Sequence, residues 1–514
     1  MRTTLLALSL AALAPLDAVA CCEPEYCVIY DFGGVNAIPA SALTWTAEGT
    51  YSGVTYGGAG EDGTGSVYAL TRSGFNKYKF TTLYRTDIGG SPANDGQFPF
   101  ASLILSPDGT TLMGTTQLGG SGGGVLFGLN YSAALAAQNN GVGYQIEHWF
   151  NPTLEGGGSQ SRLALPPVAT FPVVYFGALY GDGPRDGGAA YSFNMGNSAW
   201  QPLHQWSVSS YVGGLDGGNP IGSLVVHYRI PLTLFVKPEG ATPDIITNLD
   251  LSTITLYGVT RIGGSNNCGT IYSVQGNGSN YMVLHHFNTT TDDGANPMGG
   301  MVLVSNVLYG TTSSGGANHG GTVFKINTDG TGFAILANLD YATTGSSPQG
   351  DLAISESRLY GTTYVGGTNG GGTVFALNLT DTNLTLLHRF TSPVANGNGG
   401  YTNRNGGWPQ AGVLVDGDSL YGTTSYGGTN GVGTAYRIAL PSPPRLRLEY
   451  AAGSFRLSWP SRATNFFLQE NSALGTKGWG PSALAVSDNG TNRSVVLLPT
   501  GRQMFFRLLD TNAP

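Results

Sequence analysis

Apolar and polar residues alternate along most of this chain, in short runs set apart by Gly, Asn and Asp. A period of two places every second side chain on one face, so each run predicts a strand with one face toward a core. The stretch 350–390 holds four such runs in succession, at 350–355, 358–363, 372–377 and 384–390. Between the second and third lies Gly-Gly at 366–367. Glycine reaches left-handed backbone without a Cβ clash, so this pair predicts a tight turn.

The four-run unit recurs. Leu308-Tyr309-Gly310-Thr311-Thr312 returns at 359–363 and at 420–424. Each copy is followed by Gly-Gly and then by Gly-Thr-Val-Phe or a close relative, at 321–324, 372–375 and 433–436. Weaker copies begin at Leu256, Leu112 and Tyr51, and the most degenerate reads Leu179-Tyr180-Gly181. That makes seven copies. Anchored on Tyr51, Met113, Tyr180, Tyr257, Tyr309, Tyr360 and Tyr421, they stand 51 to 77 residues apart. Repeats of roughly 40–50 residues with four strands each are typical of propeller blades.

The seventh copy has runs at 412–415, 420–424 and 433–438, and then Pro441-Ser442-Pro443-Pro444 stops it. It therefore lacks a fourth strand. The segment Cys27 to Phe32 resembles 384–390 and precedes the first copy, so it is the natural donor. The expected architecture is all-β. It has a seven-bladed β-propeller of four-stranded blades over 27–440, closed by the N-terminal strand. A linker at 441–444 and a small β-sandwich over 445–514 follow.

The Leu-Tyr-Gly-Thr-Thr, Gly-Gly, Gly-Thr-Val-Phe unit resembles the repeat of the bacterial GloVer tandem-repeat proteins, a choice-of-anchor family. The likeness covers residues 28–438 and is tightest in the last four copies. It implies an exported repeat protein and carries no catalytic residues over. Members of that family often end in a sorting anchor. Here 512–514 read Asn-Ala-Pro without an apolar tail, so no such anchor is expected. In the tail, Leu457-Ser458-Trp459 and the run 505–508 are similar to small immunoglobulin-like or fibronectin-type modules.

Composition narrows the partners. The chain has 80 Gly among 514 residues, and only 11% of residues are charged, against about 25% in an ordinary domain. The net charge is −8, and no Lys/Arg run occurs. Nucleic acid needs clustered cations to displace its counterions, so that partner class is excluded, as is a basic membrane-binding surface. Arg2, the apolar stretch Leu5 to Leu13 and Ala18-Val19-Ala20 read as an export signal over 1–20. The stretch is too short to span a bilayer, and no other is long enough. Cys21 follows the small residue, so simple cleavage and lipidation at Cys21 are competing fates. The expected location is extracellular or on the cell envelope. Cys22 and Cys27 are a candidate local disulfide.

Catalytic motifs are scarce. No G-x-S-x-G elbow, H-E-x-x-H or phosphate loop occurs. His148, His204, His285 and His388 each fall in a fourth strand beside aromatics. Equivalent positions of different blades lie far apart on the rim, so a shared metal is not expected, and neither is a cofactor. The Asp-Gly steps read as hairpin turns. The loop-rich end offers more. Tyr401 and Trp408 lie in the long connection 391–410, and Tyr56 and Tyr426 sit just before Gly-Gly. Aromatics on loops over a rigid scaffold suit sugar or protein contacts. The alternative for Tyr56 and Tyr426 is packing between blades. The expected function is an exported, non-enzymatic binding protein for carbohydrate or a surface protein, with Tyr56, Tyr401, Trp408 and Tyr426 as ligand residues. The competing reading is a secreted polysaccharide hydrolase or lyase with carboxylates at the propeller channel.

Overall fold

The computed structural model describes residues 26–510, less 34–37, 58–64, 75–76, 87–94, 138–141, 167–171, 182, 210–211, 229–248, 290–292, 396–400, 441–445, 452–453, 461–465, 472–477, 489–491 and 498–504. The export signal, Cys21, Cys22 and the linker lie outside the described residues. Two compact units carry the β-structure, a body over Pro24–Ala439 and a tail from Leu440.

The body is built of antiparallel sheets whose strands follow chain order, here a to d. Sheets 1 to 7 span 44–85, 97–149, 164–213, 225–286, 302–340, 353–391 and 414–439. In sheet 6 the strands are Ala353–Ser355, Arg358–Thr363, Gly370–Asn378 and Leu384–Thr391. The last sheet has three strands of its own, and Tyr26–Asp31 pairs antiparallel with Thr434–Ala439 as its fourth.

One contact recurs in every sheet and explains the repeated glycine of strand b. A Cβ on Gly53, Gly114, Gly177, Gly258, Gly310, Gly361 or Gly422 would lie within 2.6 Å of an aromatic side chain on the neighbouring strand c. The rings are Tyr68, Phe127, Tyr191, Tyr272, Phe324, Phe375 and Tyr436, all with 0% exposure. This contact corrects the third copy. Its motif is Phe176-Gly177 in strand Val174–Leu179, not Leu179-Tyr180-Gly181, because Gly177 is the glycine its ring crosses. Strand a of that sheet shrinks to a single bridge, Ala164 to Phe176. A short helix, Tyr131–Ala137, was not expected and sits between strands c and d of sheet 2.

Apolar faces of successive sheets pack on one another. Val54 and Val67 of sheet 1 meet Leu112 and Phe127 of sheet 2. Val323 of sheet 5 meets Leu359 and Phe375 of sheet 6. Tyr421 and Ala435 of sheet 7 share a cluster with Ile29, Phe32, Leu43, Tyr51 and Tyr68, so the last sheet packs on the first. Burying each large apolar side chain contributes about 2 kcal/mol.

The tail holds two antiparallel sheets. One contains Arg447–Ala451, Ser454–Pro460 and Asn492–Leu497, and the other Phe466–Asn471 and Phe505–Asp510. Leu457, Trp459, Leu468, Val495 and Phe506 form its core.

Candidate functional site

In an a-to-d meander the b–c turns and the connections to the next sheet emerge at the same end. The second Thr of each motif builds that end. Thr363 Oγ1 accepts from Thr373 N at 3.0 Å, and the two hydroxyls lie 2.9 Å apart. Thr424 and Thr434 repeat the pair at 3.0 Å, as do Thr260 and Thr270 at 2.8 Å. The pairs brace the Gly-Gly turns, whose glycines have positive φ, 81° and 73° at Gly366 and Gly367.

The described parts of the connection, 391–395 and 401–410, lie at this end of sheets 6 and 7. Asn403 holds it down. Its Oδ1 accepts from Gly406 N at 2.7 Å and Gly428 N at 3.3 Å, while Nδ2 donates to Thr391 O at 2.7 Å. Gly427 N donates to Tyr401 O at 2.9 Å. Trp408 N donates to Gly371 O at 2.8 Å, and Trp408 O accepts from Ser425 N at 3.3 Å.

These constraints bring three of the four expected ligand residues together. The Tyr401 and Trp408 rings stand 5.2 Å apart at 60°, Trp408 and Tyr426 5.2 Å at 71°, and Tyr401 and Tyr426 5.8 Å at 86°. Tyr364, which sequence reasoning missed, joins at 6.5 Å from Trp408. Trp408, Tyr426 and Tyr364 are half-buried and Tyr401 is 38% exposed. Arg404 and Asn405 beside them are exposed. Tyr56 is elsewhere, at the junction of sheets 1 and 2, packed on Phe98 at 5.1 Å and Phe100 at 5.7 Å. Its half-burial matches the packing alternative in part.

The same end collects exposed apolar residues. Leu118, Trp149, Leu154, Val212, Leu215, Tyr341, Val394 and Tyr401 are at that end, eight of the eleven large exposed apolar residues among the described residues of the body. The other three are Trp45, Val142 and Met282.

The fourth-strand histidines have local partners that spacing alone did not reveal. His148 Nε2 lies 2.9 Å from Glu155, His204 Nε2 2.9 Å from Asp216, and His285 Nε2 3.2 Å from Asp293, each carboxylate coming from the connection that follows. Their rings stack on the next sheet, His204 on Tyr281 at 3.6 Å and His285 on Phe333 at 3.8 Å. Burial holds His204 and His285 below the usual imidazole range despite their carboxylates. Among the described residues no group of three or more His, Cys, Asp or Glu forms a metal-binding cluster.

His388 stacks on Tyr26 of the N-terminal strand at 3.6 Å. Burial, then the Arg389 charge, pushes its imidazole down to about 4. Between about pH 4 and the unfolded value near 6.5, the unfolded chain binds the extra proton, so stability rises with pH across that window. We expect His388 to contribute about 2 kcal/mol of that rise, discounted for its partial exposure. Urea unfolding of His388→Phe at pH 4.5 and 7 tests this: its pH dependence should be shallower than that of the parent chain, and equal slopes would refute the assignment.

Comparison with known proteins places part of the body. No curated protein matches the sequence. Solved structures with similar strand arrangement include an oligogalacturonate lyase in complex with manganese, at 12% identity and TM-score 0.45 over 81% of this chain and 91% of that one. The GH74 enzyme of Niastella koreensis matches at 14% identity and TM-score 0.43, over 91% of this chain and 63% of that one. TolB from Acinetobacter baumannii matches at 10% identity and TM-score 0.34, over 67% and 65%. Residues 251–443 match the Gloeobacter/Verrucomicrobia repeat family, which supports a repeat-family assignment for that stretch.

Proposed function

We propose that this chain is an exported, non-enzymatic carbohydrate-binding protein whose body is a closed seven-bladed β-propeller. The tail, an immunoglobulin- or fibronectin-like module in this reading, acts as spacer or attachment point. Seven equivalent blades are supported by the seven ring-over-glycine contacts, and closure by the N-terminal strand in sheet 7 and by the packing of sheet 7 on sheet 1. Export is supported by Arg2, the apolar stretch from Leu5 and Ala18-Val19-Ala20.

The observation that carries the function is the aromatic cluster of Tyr401, Trp408 and Tyr426 at the end where the exposed apolar side chains gather. Aromatic faces stack on the apolar face of a sugar ring, and the exposed Arg404 and Asn405 can reach its hydroxyls. The hydrolase reading gains less support. At the starts of strands a, where a channel would run, Gly299, Gly350 and Gly412 leave no space for a Cβ, which would meet the backbone of Gly350, Gly412 and Asp351 respectively. The Asp351 carboxylate there accepts from Ser223 Oγ at 2.5 Å and Gly300 N at 2.6 Å.

A glycan array on the purified chain, run beside reducing-sugar release on the same polysaccharides, tests the proposal. Binding without release is expected, weakened about tenfold by Trp408→Ala, the loss of one aromatic contact. Release of reducing ends, or binding untouched by that substitution, would sink it.

A further inference from the structure

Five connections of the body place a non-glycine residue in the left-handed region immediately before a proline. They are Phe98 (φ 56°), Asn219 (54°), Asn296 (54°), Ser347 (57°) and Trp408 (55°). Hydrogen bonds to two neighbouring sheets impose the conformation. Asn219 N donates to Gly187 O at 2.9 Å and its carbonyl accepts from Arg261 N at 3.1 Å. Ser347 and Trp408 repeat both bonds with Gly320 and Tyr364, and with Gly371 and Ser425. The fold therefore requires this backbone whatever the side chain.

The side chains differ in how well they suit it. Asn tolerates the left-handed region, whereas for a bulky ring it is a genuine outlier. Two copies accept that strain and carry Phe98 and Trp408. Both rings meet a tyrosine from the same place in the preceding sheet, the first residue after the last Thr of strand b. Tyr56 lies 5.1 Å from Phe98 at 38°, and Tyr364 lies 6.5 Å from Trp408 at 41°. Phe100 adds a third half-buried ring to the first pair, as Tyr426 does to the second. Two other copies carry Asn here, whose Nδ2 donates to a backbone carbonyl, Tyr180 O for Asn219 and Arg261 O for Asn296, each at 3.0 Å. Strain kept in this way points to function.

We infer that Tyr56, Phe98 and Phe100 form a second carbohydrate subsite, structurally equivalent to the one at Trp408. The inference rests on the carbohydrate-binding reading and extends it. The ligand is then a polymer that engages both subsites on one face, and linking two contacts multiplies affinity without any new one. With only 11% charged residues in the chain, the match is to a neutral polysaccharide.

The test uses the full chain and two substitutions that install the residue other copies carry, Phe98→Asn and Trp408→Asn. Retardation is measured in gels containing hydroxyethyl cellulose, galactomannan or laminarin. Stoichiometry is measured by calorimetry with the tetrasaccharide of whichever polymer retards the chain. We expect each substitution to weaken polymer binding about tenfold or more, the pair to abolish it, and each single change to reduce the sites for tetrasaccharide from two to one. Melting temperatures should stay level or rise, since strain is relieved. Polymer binding lost with Trp408→Asn but intact in Phe98→Asn would overturn the second subsite and leave the first standing. Lower melting temperatures would make the rings packing residues and overturn the inference. No retardation of the parent chain by any polymer would overturn the function it rests on.

Discussion

A chain that starts at residue 33 is expected to lose its folded body, with a stability loss above about 5 kcal/mol and a tendency to aggregate. The missing segment touches three sheets. Tyr26–Asp31 supplies the fourth strand of sheet 7, Tyr26 stacks on His388 of sheet 6, and Phe32, at 0% exposure, lies in the core shared with sheet 1. Phe32 N donates to Gly433 O at 3.1 Å, and Asp31 accepts from Thr429 N at 2.8 Å. Without the segment, Thr434–Ala439 becomes an open edge beside exposed apolar residues, a template for pairing with other chains. Phe32→Ala alone should cost about 3–5 kcal/mol. Urea titration of both variants against the parent is the measurement. A truncated chain with an unchanged midpoint would mean that the strand is an accessory.

Gly422→Ala should destabilise the body by about 3 kcal/mol, the upper part of the range for overpacking. The added methyl would lie 2.3 Å from Tyr436 Oη and 2.4 Å from Cζ. The ring has nowhere to go, since it is fully buried with Phe390 at 5.3 Å and Tyr26 at 5.7 Å. The companion change runs the other way. Tyr436 Oη is buried without a hydrogen-bond partner, and three other copies place Phe at this position: Phe127, Phe324 and Phe375. Tyr436→Phe should therefore stabilise by about 1 kcal/mol, because an unsatisfied buried hydroxyl is removed. It should not rescue Gly422→Ala, since the Cζ clash persists in the phenylalanine copies as well. Denaturant midpoints of the two single variants and the double variant decide this. A Gly422→Ala midpoint equal to the parent's would show that the strands spread apart at low cost.

Much of the fold is written locally. Alternation and turn glycines in 350–390 predict the four strands of sheet 6 within a few residues, because strand faces and left-handed turns are properties of neighbouring residues. The pairing of 26–31 with 434–439 was legible too, since a repeat lacking one strand names the segment it needs. The third copy was misread because Leu179-Tyr180-Gly181 imitates the motif over three residues. Which glycine lies under a ring depends on how strands b and c align, and that alignment places Gly177 beneath Tyr191.

The candidate site was legible only in parts. Tyr401, Trp408 and Tyr426 could be picked as loop aromatics, but their convergence depends on Asn403 pinning one connection to the turn of the next sheet. Tyr364 and Phe98 went unseen, although an aromatic before Pro99 where other copies carry Asn before Pro was the available signal. The sequence by itself determined the strands of the regular copies and the spare N-terminal strand, because each is carried by residues close together in the chain or by plain repetition. Tertiary structure alone decided the ring-over-glycine register, the histidine–carboxylate pairs and the aromatic clusters. Those contacts join residues from different strands or sheets, and their geometry is set by how the sheets stack.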